Sequence, residues 1–246
     1  MLKKNEGIDI AHELGGIQDV EQAQALFEKR LDKEHLSRIR TLSRPEILIK
    51  IANAIAMCDP ARVFINTGSE ADRQFIRQLA LNKGEEAVLA MEGHTIHFDL
   101  KEEQGRIIDR TFYIANPGEK ISSLANKTLR DDALVEVREK MAGIMSGATM
   151  VVGLYIRGPV GAAASNPAIE ITSSAYVCHS AEILYRNAFA DFEREVDRLG
   201  HFYTNIHSEG LNRPEDLPNA RVFMDRSHRT TYSFKCTYAG NTLLLK

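Results

Sequence analysis

The sequence predicts an α/β fold, a layered α/β/α domain with a mixed β-sheet. Segments with apolar residues at helical spacing and short segments rich in β-branched and aromatic residues follow one another in irregular order, without strict strand–helix–strand repetition. The chain has 246 residues, 43% of them hydrophobic, which is enough to bury a core. It shows no internal repeat and no low-complexity linker. We therefore expect one domain over residues 1–246.

The first half of the chain predicts helices and one strand–turn–helix unit. VEQAQALFEKRLDKEH, from Val20, and SRPEILIKIANAIAM, from Ser43, have helical spacing. The second opens with Ser43-x-x-Glu46, a capping-box pattern that tolerates Pro45 in the first turn. RVFINTGSEADRQFIRQLALNKG predicts a strand, a turn, and a helix that begins after Ser69 and ends near Gly84.

The second half predicts mainly short strands with two helices. The strand candidates are EAVLAM, TIHF, RTFYIA, TMVVGLYIRG, HFYTNIH, ARVFM and TYSFK. The helix candidates are DDALVEVREKMAGIM and FADFEREVDRL. A further helix is expected to begin near Asn241, after a turn at Ala239 and Gly240.

Charge, cysteine content and hydropathy exclude several classes of protein. With 31 basic and 34 acidic residues the net charge is −3, so no field of one sign marks a nucleic-acid-binding protein. Three widely spaced cysteines without a C-x-x-C pair favour a reducing compartment, and we expect a cytoplasmic protein. The N-terminus lacks the apolar core of a secretory signal. The most apolar segment, Ala142 to Ile156, is shorter than the roughly 20 residues of a membrane-spanning helix.

Several segments have both a structural and a functional interpretation. The turn of INTGSEAD offers free amides to an anion, or is an ordinary helix cap. His94 and His97 are a candidate metal pair, although residues three apart on a strand point to opposite faces. The turn Gly158 to Gly161 either lets the backbone approach a ligand or is structural. Arg106, close to Arg110, offers a planar fork for carboxylate or phosphate.

Known nucleotide-binding loops are missing from the sequence. No glycine is followed by lysine, so there is no G-x-x-x-x-G-K-[ST] phosphate loop, and there is no G-x-G-x-x-G fingerprint.

Six segments follow one another from about Val63 to Lys246: GSE, GRIIDRTFYI, GPVG, EITSSAYVCHSAEILYR, HFYTNIHSEG and SFKCTYAGNTLLLK. In this order they resemble the amino-terminal part of the GTP-dependent phosphoenolpyruvate carboxykinases. The family has a Gly-Pro-x-Gly turn, a Thr-Asp-Ser-x-Tyr-Val segment, a Leu-His-Ser segment and a Tyr-Gly-Gly-Asn-Ser-Leu-Leu-Gly-Lys-Lys segment. Ser173 and Ala239 depart from this pattern, which indicates a divergent microbial or archaeal branch.

The resemblance implies that the parent enzyme converts oxaloacetate and GTP to phosphoenolpyruvate, GDP and CO2, a reaction of gluconeogenesis, with Mn²⁺ or Mg²⁺ at the site. It implies that Arg106 and Tyr238 are catalytic and bind the substrate. Arg106 would hold the substrate carboxylate and phosphate, and Tyr238 would present its ring edge to the carboxylate. Ala239, Gly240 and Asn241 would line the substrate pocket. We expect Arg106 and Tyr238 to share this pocket with the Gly158 to Gly161 turn.

The resemblance also implies what the chain lacks. In the family a second lysine, a metal ligand, would follow Lys246, and the nucleotide loop lies farther on. We therefore expect this chain to stop at the start of the nucleotide- and metal-binding lobe, which would be its partner, and to be inactive alone without tight metal or GTP binding. His207 and Ser208 would be supporting structure. The alternative is a stand-alone carboxylate-binding or regulatory module without catalysis, and the phosphoryl donor stays open among GTP, another nucleotide and pyrophosphate.

Overall fold

A mixed sheet of nine strands forms the centre of the structure. The structure is a computed structural model, and it describes residues 7–97, 108–210 and 218–235. The strands are β1 (Arg62–Asn66), β2 (Ala87–Val88), β3 (Thr95–Ile96), β4 (Thr111–Ala115), β5 (Lys127–Leu129), β6 (Thr149–Arg157), β7 (Asn166–Thr172), β8 (Arg186–Asn187), β9 (Tyr203–Ser208), β10 (Arg221–Asp225) and β11 (Thr230–Phe234). The helices are α1 (Ile10–Gly15), α2 (Val20–Arg30), α3 (Lys33–Ile39), α4 (Pro45–Cys58), α5 (Glu70–Asn82), α6 (Arg130–Met141), α7 (Ala175–Leu184) and α8 (Phe192–Leu199). The strand order is β1-β6-β7-β9-β11-β10-β4-β5, with β8 beside β6, and β2 and β3 form a separate hairpin.

Strand direction changes twice across the sheet. β1 and β6 are parallel, β7 is antiparallel to β6, and β9 and β11 are parallel to β7. β10 is antiparallel to β11, and β4 and β5 are parallel to β10. The three central strands β7, β9 and β11 therefore run opposite to the strands on both sides.

Helices cover both faces of the sheet. On the first face, α1 to α4, α6 and α8 contribute to the main core, together with sheet residues such as Ile65, Val152 and Ile206. On the second face, Val151 of β6 packs with Ile76 of α5 and Cys178 of α7. Side chains alternate between the faces along each strand, as the pleat requires. The predicted α/β/α layering with a mixed sheet is confirmed.

The segment from Val20 to His35 forms two helices instead of the single predicted one. α2 ends at Arg30, and the Asp32 carboxylate accepts a hydrogen bond from His35 N at 3.0 Å as the N-cap of α3. An aspartate that bonds the amide three residues later begins a new helix, because its own backbone must leave the helical conformation. The helical spacing of the sequence continues across this break and conceals it.

The predicted capping box at Ser43 is wrong. α4 does begin at Pro45, but Ser43 directs both its amide and its hydroxyl to the carboxylate of Glu193 in α8, at 2.8 and 2.9 Å. The Arg44 amide binds the same carboxylate at 2.6 Å. A carboxylate from a distant helix therefore satisfies the amides before α4, and Glu46 is not needed for this purpose.

A buried ion pair joins α6 to the end of β10. Arg130 contacts Asp225 through two hydrogen bonds, Nη1 to Oδ2 at 2.5 Å and Nη2 to Oδ1 at 3.0 Å. Its Nε donates to Asn116 Oδ1 at 2.7 Å, and Nη1 also donates to the carbonyl of Ile8 at 2.9 Å. The two charged side chains are 5% and 0% exposed. Burial disfavours the charged form of Arg130, but the hydrogen bonds and charge of Asp225 outweigh this and raise its pKa.

The second face carries a buried polar stripe across the three central strands. Thr172, His207 and Ser233 form one row in register, and Glu170, Asn205 and Thr231 form the next. All six residues are buried. Asn205 Nδ2 donates to Glu170 Oε1 at 2.7 Å, and Arg157 Nη2 lies 3.8 Å from Glu170 Oε2. Burial is the main cause that raises the pKa of Glu170 to about 7, against the lowering effects of Arg157 and Asn205.

The structure describes two of the three cysteines. Cys58 and Cys178 are buried free thiols, and Cys236 lies outside the described residues. Over 7–97, 108–210 and 218–235, every helix is too short or too polar to cross a membrane.

We predict that Asp225→Ala strongly destabilises the fold, because it leaves the Arg130 guanidinium buried without its counterion. The expected loss in the free energy of unfolding is about 3–5 kcal/mol. The matched control is Glu28→Ala, which removes the partner of Arg40 where both side chains are more than half exposed; its cost should be about 0–1 kcal/mol. Urea denaturation followed by far-UV circular dichroism measures both, and equal losses would contradict the prediction.

We also predict that Glu170 makes the stability depend on pH. Its pKa is raised to about 7 in the folded state. The stability that the neutral Glu170 side chain contributes is therefore fully present below the ordinary glutamate pKa and is lost as the pH rises through 7. The Glu170→Gln side chain is neutral at every pH, so this variant lacks that pH dependence. Between pH 5 and 8 the wild type should lose roughly 2 kcal/mol more stability than this variant. Parallel pH profiles in urea denaturation would contradict this.

Candidate functional site

The ends of β7, β9 and β11 meet at one edge of the sheet, which we call the β7–β9–β11 edge. Thr172 pairs with His207, and Ser208 pairs with Phe234, so the three strands finish at the same level. β10 begins here, since Arg221 pairs with Phe234, and β4 begins next to it. Carboxyl ends of parallel strands are a common place for ligand sites.

Ser208 connects the ends of the three strands. Its hydroxyl lies 2.8 Å from the hydroxyl of Ser173, which follows β7. It also accepts a hydrogen bond from Gly210 N at 3.1 Å. The Ser208 carbonyl accepts a hydrogen bond from Lys235 N, which follows β11, at 2.9 Å. Ser208 is buried, and its interpretation as supporting structure in the parent enzyme stays a prediction.

Glu85, just after α5, occupies the amino-terminal end of α7. One of its oxygens accepts hydrogen bonds from Ser174 Oγ at 3.0 Å and from Tyr176 N at 2.7 Å. Lys83 forms an ion pair with the other oxygen and donates to the carbonyl of Ser173 at 2.7 Å. A carboxylate of the chain itself therefore binds the positive end of the helix dipole.

His97 and His179 lie in the same region and make separate contacts. The His97 ring stacks on Tyr176 with 3.5 Å between ring centroids, and its Nδ1 lies 2.6 Å from the carbonyl of Glu85. His179 Nδ1 lies 2.7 Å from Glu86 Oε1. His94 instead contacts the carbonyl of Glu92. In the parts of the chain that the structure describes, no group of three or more His, Cys, Asp or Glu side chains could hold a metal ion.

All five residues that the resemblance assigns to the substrate lie outside the described residues: Arg106, Tyr238, Ala239, Gly240 and Asn241. Their described neighbours in sequence can be located. Arg106 comes five positions before Thr111, where β4 begins, and Tyr238 comes four positions after Phe234, where β11 ends. Both neighbours lie at the β7–β9–β11 edge.

The Gly158 to Gly161 turn lies at the opposite edge, between the end of β6 and the start of β7. The length of β7 separates it from the β7–β9–β11 edge, about 23 Å at the usual rise per residue. Tyr238 lies outside the described residues. The expectation that this turn shares a pocket with Arg106 and Tyr238 therefore stays a prediction.

The described contacts of the turn are structural. Glu195 of α8 accepts hydrogen bonds from Gly161 N at 3.1 Å and from Ser165 Oγ at 2.7 Å. Hydrogen bonds from Arg198 and then Ser165 lower the pKa of Glu195 to about 2. Gly158 has a φ of 88°, and a Cβ there would come within 2.8 Å of the Ala164 carbonyl oxygen, so glycine is required by the backbone.

The start of α5 is also occupied by the chain itself. Ser69 caps the helix as predicted, since its hydroxyl accepts a hydrogen bond from Asp72 N at 3.1 Å. The Asp72 carboxylate accepts hydrogen bonds from Thr67 N at 2.8 Å and from Thr67 Oγ1 at 2.6 Å. It also forms an ion pair with Arg38. Of the two interpretations of INTGSEAD, the contacts favour the helix cap.

No sequence pattern singles out Lys83, Glu85 or Glu209 at the β7–β9–β11 edge. Glu85 and Ser174 are 89 positions apart, so no local pattern joins them. Glu209 lies inside the matched segment HFYTNIHSEG, and this was the only available signal.

Comparison with known proteins gives a consistent family. Residues 50–246 match the family model described as phosphoenolpyruvate carboxykinase N-terminal domain. A phosphoenolpyruvate carboxykinase (GTP) from Thermococcus sibiricus is 38% identical over 224 residues, which is 89% of this chain and 36% of the relative. Relatives of the same name from Pyrococcus furiosus and Saccharolobus solfataricus are each 33% identical, over 92% and 88% of this chain.

The chain spans about a third of the length of these curated relatives. They are archaeal proteins, in agreement with the divergent branch that the substitutions indicated. Because the family model matches most of the chain, the chain belongs to the phosphoenolpyruvate carboxykinase family and corresponds to its N-terminal domain.

Proposed function

We propose that this chain is the substrate-binding lobe of a GTP-dependent phosphoenolpyruvate carboxykinase, and that oxaloacetate and phosphoenolpyruvate bind at the β7–β9–β11 edge. One observation carries the proposal. Thr111, which follows the Arg106 segment, lies at this edge. Phe234, which precedes the Tyr238 segment, lies at the same edge. The parent enzyme converts oxaloacetate and GTP to phosphoenolpyruvate, GDP and CO2 in the cytoplasm.

Arg106 suits a substrate that carries two negative groups. Its guanidinium is always charged and offers paired N–H donors, which match a carboxylate or a phosphate in a bidentate geometry. When CO2 leaves oxaloacetate, negative charge moves onto the enolate oxygen. A fixed cation nearby stabilises this charge in the transition state.

In this proposal Tyr238 and residues 239–241 would complete the pocket. The positive edge of an aromatic ring attracts a carboxylate oxygen, which would orient the leaving carboxylate without a second full charge. Ala239, Gly240 and Asn241 would supply backbone amides to the substrate. Among the described residues, the hydrogen bonds of Ser173, Ser208 and Lys235 hold the strand ends of this edge together.

The described residues do not fit the nucleotide or the divalent metal of the parent reaction. They contain no candidate metal cluster, and the sequence has no glycine–lysine phosphate loop. We assign Mn²⁺ or Mg²⁺ and GTP to a C-terminal lobe of the longer parent. This chain would position oxaloacetate, and the other lobe would supply the phosphoryl group.

The alternative is a stand-alone carboxylate-binding or regulatory module. The two proposals differ in the coding sequence after Lys246. An open frame that continues with a second lysine and a glycine-rich Lys-Ser/Thr loop supports the enzyme. A stop codon at this position in the genome supports the module.

We predict that the 246-residue chain does not bind GTP with micromolar affinity, with or without Mn²⁺, and has no carboxykinase activity. The physical reason is the missing phosphate loop. Isothermal titration calorimetry of the chain and of the longer parent gives the comparison. Micromolar GTP binding by the chain alone would falsify the assignment of the nucleotide to the other lobe.

We predict that Arg106→Ala in the longer parent lowers kcat/KM by roughly a hundredfold, which corresponds to about 3 kcal/mol in the barrier. Arg106→Lys keeps the charge but loses the planar fork, so it should recover only part of this loss. Steady-state kinetics at saturating GTP measures both variants. Wild-type activity of Arg106→Ala would remove Arg106 from the site.

A further inference from the structure

We propose that the β2–β3 hairpin is a docking surface for the C-terminal lobe of the longer parent. The exposed apolar side chains of residues 87–91, which we call the 87–91 face, pack against an apolar surface of that lobe. The inference rests on one part of the proposed function, namely that this chain continues into a second lobe. It does not require that the substrate binds at the β7–β9–β11 edge.

The 87–91 face is a continuous apolar surface in contact with solvent. Its sequence is Ala-Val-Leu-Ala-Met, and every one of these residues is exposed. The exposed fraction is 68% for Val88, 40% for Leu89 and 63% for Met91. Single exposed apolar side chains are ordinary on a protein surface, but a continuous run of them usually marks an interaction site. The face therefore has the composition of an interface.

The hairpin backbone is also open to a partner. Among the described residues, β2 pairs only with β3, through Ala87–Ile96 and Val88–Thr95, and this pair is not joined to the main sheet. Exposed strands usually carry charged residues or proline, which prevent unwanted pairing. Residues 87–91 contain neither. Because a two-stranded hairpin alone is barely stable in water, this one depends on contacts with other parts of the protein.

The base of the hairpin is fixed to the domain. Glu86, directly before β2, is buried, and its carboxylate lies 2.7 Å from His179 Nδ1. His97, directly after β3, stacks on Tyr176 with 3.5 Å between the ring centroids. These contacts give the 87–91 face a defined position. Its side chains therefore lose little conformational entropy when a partner binds.

The end of β11 lies close to this base. Lys235 N, after β11, donates to the carbonyl of Ser208 at 2.9 Å, and the Ser208 hydroxyl lies 2.8 Å from the Ser173 hydroxyl. The Ser173 carbonyl in turn accepts a hydrogen bond from Lys83 Nζ at 2.7 Å. Lys83 comes four positions before Ala87, where β2 begins. A line of hydrogen bonds therefore joins the end of β11 to the start of the hairpin.

The length of the relatives identifies the partner. This chain covers 36% of the Thermococcus sibiricus relative, and its family model is described as an N-terminal domain. In a parent of that length the remaining part follows in sequence, and it is joined to this domain through residues 236–246, which come directly after Lys235. A lobe larger than this domain is therefore attached beside the hairpin, and its own apolar surface can cover the 87–91 face.

Two other groups of exposed apolar side chains lie away from this point. Ile183 and Leu184 are at the carboxyl end of α7, whose start lies at the β7–β9–β11 edge, and ten helical residues span about 15 Å. Val135 is 51% exposed on α6, which packs on the first face of the sheet. Val135 therefore serves as a control for the tests below.

The first test places a reactive thiol on the 87–91 face. Met91→Cys is labelled with N-ethylmaleimide in the 246-residue chain and in the longer parent, and the unsubstituted proteins give the background of the native cysteines. Labelling should be at least about tenfold slower in the parent. Val135→Cys should react at the same rate in both proteins. Equal rates for Met91→Cys, or an equal slowing of Val135→Cys in the parent, would overturn the proposal.

Labelling at two protein concentrations separates the C-terminal lobe from a second copy of the chain. The lobe covers the face within one molecule, so slow labelling of Met91→Cys in the parent should not depend on concentration. Slow labelling that appears only at the higher concentration, together with a dimer in light scattering, would assign the face to self-association and overturn the proposal.

The second test places a charge on the same face. Val88→Lys should leave the midpoint of thermal unfolding of the 246-residue chain unchanged, because this side chain already faces solvent. In the longer parent it should lower the midpoint, because the charge loses its hydration against the lobe. Val135→Lys should leave both midpoints unchanged. An equal effect of Val88→Lys in the chain and in the parent would contradict the docking.

These results are separable from the fate of the proposed function. A parent with carboxykinase activity and equal labelling rates keeps the proposed reaction and loses the docking surface. A parent without this activity, in which Met91→Cys is labelled slowly and Val135→Cys is not, keeps the docking surface and loses the reaction. A stop codon after Lys246 in the genome leaves no second lobe and overturns the inference.

Discussion

The double reversal of strand direction is the constraint on which the arrangement of this domain depends. Because β7, β9 and β11 run opposite to their neighbours, their ends share one edge with the starts of β10 and β4. The polar residues after β7 meet Lys83 and Glu85, which follow the distant helix α5. A fully parallel sheet would place the starts of β10 and β4 at the other edge. The segments that contain Arg106 and Tyr238 would then leave the sheet at different ends.

The same three strands carry the polar stripe on the second face of the sheet. Buried polar groups need specific partners, so Glu170, Asn205, Thr172 and His207 fix the register more sharply than apolar side chains do. Asn205 Oδ1 and Arg157 Nε stay without partners among the described residues, which makes the stripe energetically demanding. The apolar first face provides most of the burial that offsets this cost. Apolar packing on the first face thus provides most of the stability, and polar contacts on the second face fix the register of the strands.

Local patterns predicted the fold class and most of the strands, because hydrophobic periodicity directly reflects burial on a sheet or a helix. They did not predict β7, whose Pro167 is unusual inside a strand, or the break before α3. The capping box failed because Glu193, 150 positions away, took its place. The cluster around Glu85 was missed for the same reason. Arg106 and Tyr238 came from ordered similarity to a family, and their positions stay a prediction.

The contacts at three helix starts support the proposal that the nucleotide binds in another part of the parent protein. A helix N-terminus attracts anions through its free amides and dipole, but the chain's own carboxylates already occupy the starts of α4, α5 and α7: Glu193, Asp72 and Glu85. A triphosphate would have to displace an internal carboxylate at each of these three helices. A substrate with a small carboxylate can instead bind through an arginine and an aromatic edge, which need no free helix end. This distribution of charge is the one that the proposed function requires, with oxaloacetate at the β7–β9–β11 edge and the nucleotide in another part of the parent protein.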